Sequence, residues 1–225
     1  NTTKLALSYS KRLGAEKLRV ITLKRNRGKG GAVRLGFWAA RGRRLLFADA
    51  DGATRFSDFD KLDEKMDEIS SIRTAMQKDV DFQLEENEAI VVGSRAHMEK
   101  ESIVERSLFR TVLMFGFHFL VWLFCVKTIR DTQCGFKLFT RSSVRVLFWN
   151  LHIERWAFDV ELLFLAEKLK IPINEVPVTW HEVAGSKLTP LAASCEMARD
   201  LFMIWFRYFT CIWTIDLKAK DYGVE

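Results

Sequence analysis

The sequence predicts an α/β protein, and three features predict it. Apolar, β-forming runs recur at residues 18–24 (LRVITLK), 44–51 (RLLFADAD) and 89–95 (AIVVGSR). Between them lie segments with apolar residues at helical spacing, AVRLGFWAARG (32–42) and FSDFDKLDEKMDEI (56–69). A Gly-rich turn, NRGKGG (26–31), joins the first run to the first of those helices. Strand, helix, strand, helix, strand in this order implies a mostly parallel sheet. In such sheets ligands bind beyond the C-terminal ends of the strands, where Asp49, Asp51 and Arg95 fall.

Each element has a local reason. The opening stretch NTTKLALSYSKRLGAEK is polar and helix-like, with a stop at Gly14. LRVITLK suits a strand because it is β-branched and apolar. RLLFADAD is short and apolar without clean alternation, so it reads as a buried parallel strand ending in carboxylates. Ser57 is placed to cap the helix that follows. In the second half, residues 111–126 run sixteen positions without a formal charge, taking His118 as neutral. Residues 201–215 are nearly as apolar, broken by Arg207 and followed by Lys218 and Lys220. Both are short of the roughly 20 residues that span a bilayer. They are either buried core helices or helices lying in a membrane interface. Their Trp, Phe and Tyr content and basic flanks favour the interface.

Composition narrows the function classes. The 225 residues are 48% hydrophobic and 28% charged, which excludes a disordered segment and allows a sizeable core. Three prolines and no Ser/Gly-rich linker suggest one domain, residues 1–225. A net charge of +6 and a pI near 9.2 suit an anionic partner. Cys125, Cys134, Cys195 and Cys211 form no C-x-x-C pair, so reduced thiols in a cytosolic setting are expected, not zinc or a disulfide framework. His97, His118, His152 and His181 show no metal-ligand spacing.

The pair Asp49-Ala50-Asp51 carries the strongest chemical signal. Carboxylates this close repel unless a cation lies between them, and a hard divalent ion there can bridge a nucleotide diphosphate. A solvated acidic turn is the bland alternative. Haloacid-dehalogenase-type phosphatases use a similar D-x-D-G-[TV] stretch. Their motif follows the first strand, however, and needs a later G-D-x-x-x-D motif that this sequence lacks. NRGKGG suits oxyanions through backbone N–H groups with Arg27 or Lys29, although Lys29 sits between glycines and so makes no P-loop. IRDTQCGFKLFTR (129–141) and ERWAFDVELLFLAEKL (154–169) are the other unusual stretches. Asp159 and Glu161 bring acid into an apolar helix there, which is costly unless the acids are paired or used. Cys134 lacks a neighbouring His and reads as structural.

Taken in order, NRGKGGAVRLG, ADADGAT, GSRAHMEKES, RDTQCGFKLFTR, ERWAFDVELL and GSKLTP resemble the family-2 glycosyltransferases of the GT-A fold. More narrowly, the sequence resembles the members that transfer glucose to dolichyl phosphate. The resemblance implies a Rossmann-like, mostly parallel sheet with helices on both faces, plus apolar interfacial helices near the C-terminus. It implies a nucleotide-sugar half, residues 1–100, and an acceptor and membrane-facing half, residues 101–225. It further implies an inverting enzyme that uses UDP-glucose, dolichyl phosphate and Mg2+ or Mn2+. Its place is the cytoplasmic face of the endoplasmic reticulum membrane, and no nucleic acid is involved.

Carried over by residue, Asp51 is the principal metal ligand, with Asp49 beside it or on the ribose or sugar. Asn26, Gly28 and Lys29 flank the nucleotide. Asp131 and Gln133 shape the donor pocket, and Trp156, Asp159 and Glu161 face the glucose. Arg95, with Arg106 or Arg110, receives the acceptor phosphate. Asp51, Asp159 and Arg95 are the residues expected to carry the reaction, Asp159 by positioning. Family members begin with a strand ending in a V-D-D-G-S-like turn, usually after a membrane helix, and this sequence starts beyond that point. A catalytically inactive membrane-associated variant and an enzyme using GDP-mannose are the competing readings.

Overall fold

The structure is a computed structural model that describes residues 2–77, 88–98, 108–181 and 190–217. In chain order its elements are α1 (Thr2–Leu13), α2 (Gly28–Ala39), β1 (Arg44–Ala48), α3 (Phe59–Gln77), β2 (Ile90–Ser94) and α4 (Leu108–Phe124). They continue with β3 (Phe136–Thr140), α5 (Arg141–Asn150), α6 (Phe158–Lys168), β4 (Ile173–Pro177) and α7 (Pro190–Phe209). The α/β class holds.

The sheet order is β1-β3-β2-β4. Strands β1, β2 and β4 run the same way, but β3 enters between β1 and β2 in the opposite sense. The sheet is therefore mixed: among the described residues only β2 and β4 are hydrogen-bonded in parallel, with Val92 opposite Glu175. Three of the four described strands share one direction, as expected, and the departure is β3, against which β1 pairs antiparallel, Leu46 opposite Leu138. β1 also alternates, with Leu45 and Phe47 buried in the large core and Leu46 only partly buried on the other face. A correction concerns residues 18–24, which form no regular strand, and Ile21 is half exposed. Among the described residues this run has no ladder partner, and β propensity alone does not make a strand. Ser57 is no helix cap either, because it lies inside a short 3-10 turn, Phe56–Asp58, that precedes α3. The buried Asp58 ties this turn to the chain after β4, accepting from the backbone N–H of Thr179 and pairing with Lys61 at 2.8 Å.

Period-two alternation sends side chains to both faces of the sheet. Leu45, Phe47, Ile90, Val92 and Phe139 join a large core with α2, α5 and α6. Phe37, Phe139 and Phe148 meet there edge to face at ring separations of 5.0–6.0 Å. Val91, Phe136 and Leu138 point the other way, onto Leu62, Met66 and Ile69 of α3. Helices thus cover both faces, as expected.

The apolar helices divide between the two readings. α4 and α7 pack on each other, with Phe124 5.5 Å from Trp205 between ring centres. Val121, Leu201 and Ile204 are core residues, whereas Phe115, Phe119, Trp122, Phe202, Phe206 and Phe209 are exposed. One stripe is core and another faces outward. Among the described residues no helix is long and apolar enough to cross a membrane.

The most unusual core member is Lys137, on β3, which is 1% exposed. Its Nζ lies 2.7 Å from Asp159 Oδ1 at the start of α6 and donates to the Cys134 carbonyl at 2.6 Å. Removing one partner of a buried pair leaves a bare charge and costs about 3–5 kcal/mol. Lys137→Met should lose about that much in urea denaturation, and adding Asp159→Leu should restore most of it.

Candidate active site

Two loops and one helix start meet at the C-terminal ends of β1 and β2. Asp49 follows β1 directly, and its backbone N–H donates to Gly135 O at 2.9 Å. Because β3 runs antiparallel, its entry at Cys134-Gly135 lies at this same end of the sheet. A Cβ at Gly135 would sit 1.9 Å from Asp49 Oδ2, so only glycine lets the carboxylate approach. Asp51 Oδ1 accepts from the N–H of Ala53 at 2.9 Å across Gly52, whose φ is +75°. This Asx turn holds the second carboxylate at the surface.

The Gly-rich turn packs on the segment before α6. Asn26 Oδ1 accepts from Gly28 N–H at 2.8 Å, and Gly31 N–H donates to Glu154 O at 3.1 Å. Gly28 has φ +75°, and a Cβ on it would meet Glu154 O at 2.5 Å. A Cβ on Gly30 would meet Phe158 Cβ at 2.6 Å. The Glu154 carboxylate pairs with Arg27 and lies 3.6 Å from Arg34. Lys29 reaches Asp49 at 2.9 Å and lies over the rings of Phe47 and Trp156, at 5.1 and 5.9 Å. The result is a cleft of about 590 Å3 walled by Asn26, Gly28 and Lys29 on one side and by Arg155, Trp156 and Glu196 on the other. Its basic rim and the positive N-terminal pole of α2 suit a phosphate-bearing ligand.

Asp159 lies in the first turn of α6, buried against Lys137 and within the electrostatic reach of Lys29 and Asp49. Burial pushes its carboxyl upward, against the pull of Lys137. Arg95 and Asp131 also meet. Asp131 takes Arg95 Nε at 2.7 Å, Nη2 at 2.8 Å and the Arg95 backbone N–H at 2.9 Å. Glu175 receives the N–H of Asp131 at 2.9 Å, and the Arg95 guanidinium lies 5.4 Å over the Trp180 ring. Residues expected to serve acceptor and donor separately thus form one fork-shaped ion pair. Gln133 contacts Met197 of α7 at 3.9 Å.

Glu161 is placed elsewhere, and its expected contact with glucose is corrected. Residues two apart on a helix face opposite sides, so Glu161 turns away from Asp159. Fully buried, it accepts from the N–H groups of His152 and Ile153 and from Tyr208 OH at 3.0 Å. Arg106 and most of GSKLTP lie outside the described residues, and Arg110 is placed only as a position in α4. Cys134 is buried and burial pushes its thiol up to about 11, which removes it as a nucleophile. Among the described residues no group of three or more His, Cys, Asp or Glu is arranged to hold a metal. Asp49 and Asp51 are the carboxylates a cation could use. Their donor set fits an ion that takes one or two carboxylates and completes its shell with substrate phosphates.

Sequence reasoning passed over Lys137, Gly135 and Glu154. A lysine in the middle of GFKLFT, an apolar strand, was the available signal for the first.

A model of the glycosyl transferase family 2 domain matches residues 1–148. The chain belongs to that family. It is 58% identical over 221 residues to a dolichyl-phosphate beta-glucosyltransferase of Drosophila melanogaster, covering 98% of this chain and 64% of that protein. The like-named protein of Homo sapiens is 52% identical over 219 residues, 97% of this chain and 64% of the relative. That of Saccharomyces cerevisiae is 47% identical over 223 residues, 97% and 65%. The chain therefore spans just under two thirds of the length of these relatives.

The Arg95–Asp131 pair has a pH signature. Burial opposes ionisation of Asp131, yet the hydrogen bonds and charge of Arg95 outweigh it and hold the carboxyl below its ordinary 3.8. A depressed folded-state value contributes stability above the ordinary value and loses it as pH falls through the folded one. Urea denaturation of the parent should therefore weaken below about pH 4. Asp131→Asn should be less stable at neutral pH and flatter across that acid range. An unchanged acid slope would mean that the pair contributes nothing.

Proposed function

We propose that this chain transfers glucose from UDP-glucose to dolichyl phosphate, giving dolichyl β-glucosyl phosphate by an inverting displacement. The observation that carries this reading is the meeting of Lys29 and Trp156 in one cleft, with Asp49 joined to it through its ion pair with Lys29, in a chain whose relatives bear that enzyme's name. The nucleotide diphosphate lies against the Gly-rich turn, beside Asn26, Gly28 and Lys29. Asp49 and Asp51 would hold Mg2+ or Mn2+, and such an ion would supply charge neutralisation for a diphosphate. Trp156 offers its ring to the sugar, and Asp159, locked by Lys137, keeps the start of α6 in register beneath it.

The acceptor is a phosphate monoester with a second pKa near 6. It is already an anion at neutral pH and needs alignment more than a strong base. Arg95 meets that phosphate, and Asp131 holds the guanidinium at the required angle. Because the polyprenyl tail stays in the bilayer, the site must approach the membrane. The exposed aromatic stripe of α4 and α7 is the face suited to that contact, on the cytoplasmic side of the endoplasmic reticulum.

Three measurements test this. Asp51→Asn should reduce glucosyl transfer to dolichyl phosphate on the order of 100-fold, equivalent to about 3 kcal/mol of transition-state stabilisation. It should also abolish the rise in melting temperature that UDP with Mn2+ produces in the parent. A wild-type rate in that variant removes the metal role. In a donor panel UDP-glucose should exceed GDP-mannose, and the reverse order overturns the choice of donor. Finally, the chain should float with liposomes, better with anionic lipid. Phe115→Ser, Phe119→Ser and Trp122→Ser together should release it with no change in circular dichroism, since all three side chains are exposed. Unfolding of that variant while the parent fails to float would make the stripe a core surface.

A further inference from the structure

A second cavity lies at the opposite end of α6 from the cleft. It measures about 430 Å3, within the range of ligand pockets, and lies among the end of α4, the end of α6 and the last turns of α7. Its walls are apolar and aromatic: Leu123, Phe124, Phe164, Trp205 and Phe209. Its floor includes Cys125, whose buried thiol donates to Leu201 O at 3.7 Å. Lys127 and Lys168, both exposed, stand at the rim, with Lys168 Nζ 5.4 Å over the Phe164 ring. Glu167 lines the cavity too, its Oε1 accepting from the N–H groups of Lys127 and Thr128 at 3.1 and 3.0 Å, and its charge offsets one of the two ammonium groups so that the rim keeps a net positive charge. Two exposed lysines lining an aromatic slot, one with its ammonium over the Phe164 ring, suit an amphiphile with an anionic head.

We infer that this cavity binds one membrane phospholipid, its phosphate between Lys127 and Lys168 and an acyl chain against Leu123, Trp205 and Phe209. Two observations select a lipid of the surrounding bilayer. First, Leu123 and Phe209 are exposed and continue the aromatic stripe of α4 and α7, so a chain leaving the slot runs onto that stripe. Second, Asp159 and Lys168 are nine residues apart on one helix, roughly 14 Å at the α-helical rise. A phosphate held at Lys168 is thus remote from the cleft and cannot be the one that reacts. The bound lipid is a tether that fixes how α4, α6 and α7 sit on the membrane. The inference rests on the proposed membrane contact of α4 and α7, not on which sugar is transferred, and the binding test reads the pocket in the absence of a membrane.

The probe is dihexanoyl phosphatidic acid below its micelle concentration, titrated calorimetrically into the full chain. Saturable one-to-one binding is expected. Lys127→Gln with Lys168→Gln should weaken it at least about ten-fold, the loss of two charge-assisted contacts. The double variant should keep the parent's UDP-dependent melting shift. Phe115→Ser, Phe119→Ser and Trp122→Ser should leave probe binding intact even where flotation is lost, which separates this pocket from the general membrane contact. Absence of saturable binding, equal binding by the double variant, or equal binding of inorganic phosphate would overturn the inference. Tighter binding of citronellyl phosphate than of the diacyl probe would replace the bilayer lipid with the polyprenyl acceptor.

Discussion

The Lys137–Asp159 ion pair is the constraint on which the rest of the architecture depends. Both groups are fully buried, and removing two charges from water costs several kcal/mol per ion unless geometry repays it. Repayment comes from the 2.7 Å contact and the bond to the Cys134 carbonyl. Each bond also locates something. The first pins the start of α6 to an inner strand. The second fixes the loop that enters β3, and with it Gly135, the residue that admits Asp49. A hydrophobic pair in the same place would bury as much surface without setting the angle between strand and helix. The polar pair sets it.

Around that anchor the cleft is built by close backbone approach. Gly28, Gly30 and Gly135 each lie where a Cβ would overlap a neighbouring atom, two of them against the 154–158 segment. The Gly-rich turn is therefore seated on the α6 entry, and Trp156 and Lys29 come together as a consequence. Charges sort by the same geometry. Arg27 with Glu154, Lys29 with Asp49 and Arg95 with Asp131 place three cations at the strand ends, each already oriented by a carboxylate. Such pre-oriented donors need little rearrangement when an anion arrives.

The same α4 and α7 serve two environments. Their inner residues, Val121, Leu201 and Ile204, close the core, while the outer aromatics remain uncovered. α7 also runs from Glu196 at the cleft to Trp205 and Phe209 at the distal pocket. One helix thus runs past the cleft, the exposed aromatic stripe and the second cavity. Glu161 supports it from below, through Tyr208, as His152 stacks on Trp213 at 4.1 Å.

Much of this was legible along the chain. The α/β class, the carboxylates after β1, the glycine turn before α2 and the amphipathic aromatic helices all follow from local pattern. Each depends on residues near one another in sequence, and propensity and periodicity report such neighbours. The direction of β3 was not legible, because FKLFT has the same apolar run whether it pairs parallel or antiparallel. The failure of residues 18–24 to form a strand was equally hidden, since β structure depends on a partner and not on the run itself. Asp159 and Glu161 looked equivalent on paper, yet the turn of a helix sends one to Lys137 and the other to His152 and Tyr208. The sequence by itself determined which side chains are available to this site. Only the tertiary structure decided which of them meet, because pairs such as Lys137–Asp159, Arg95–Asp131 and Asp49–Gly135 are distant in sequence and come together only through the packing of strands and helices.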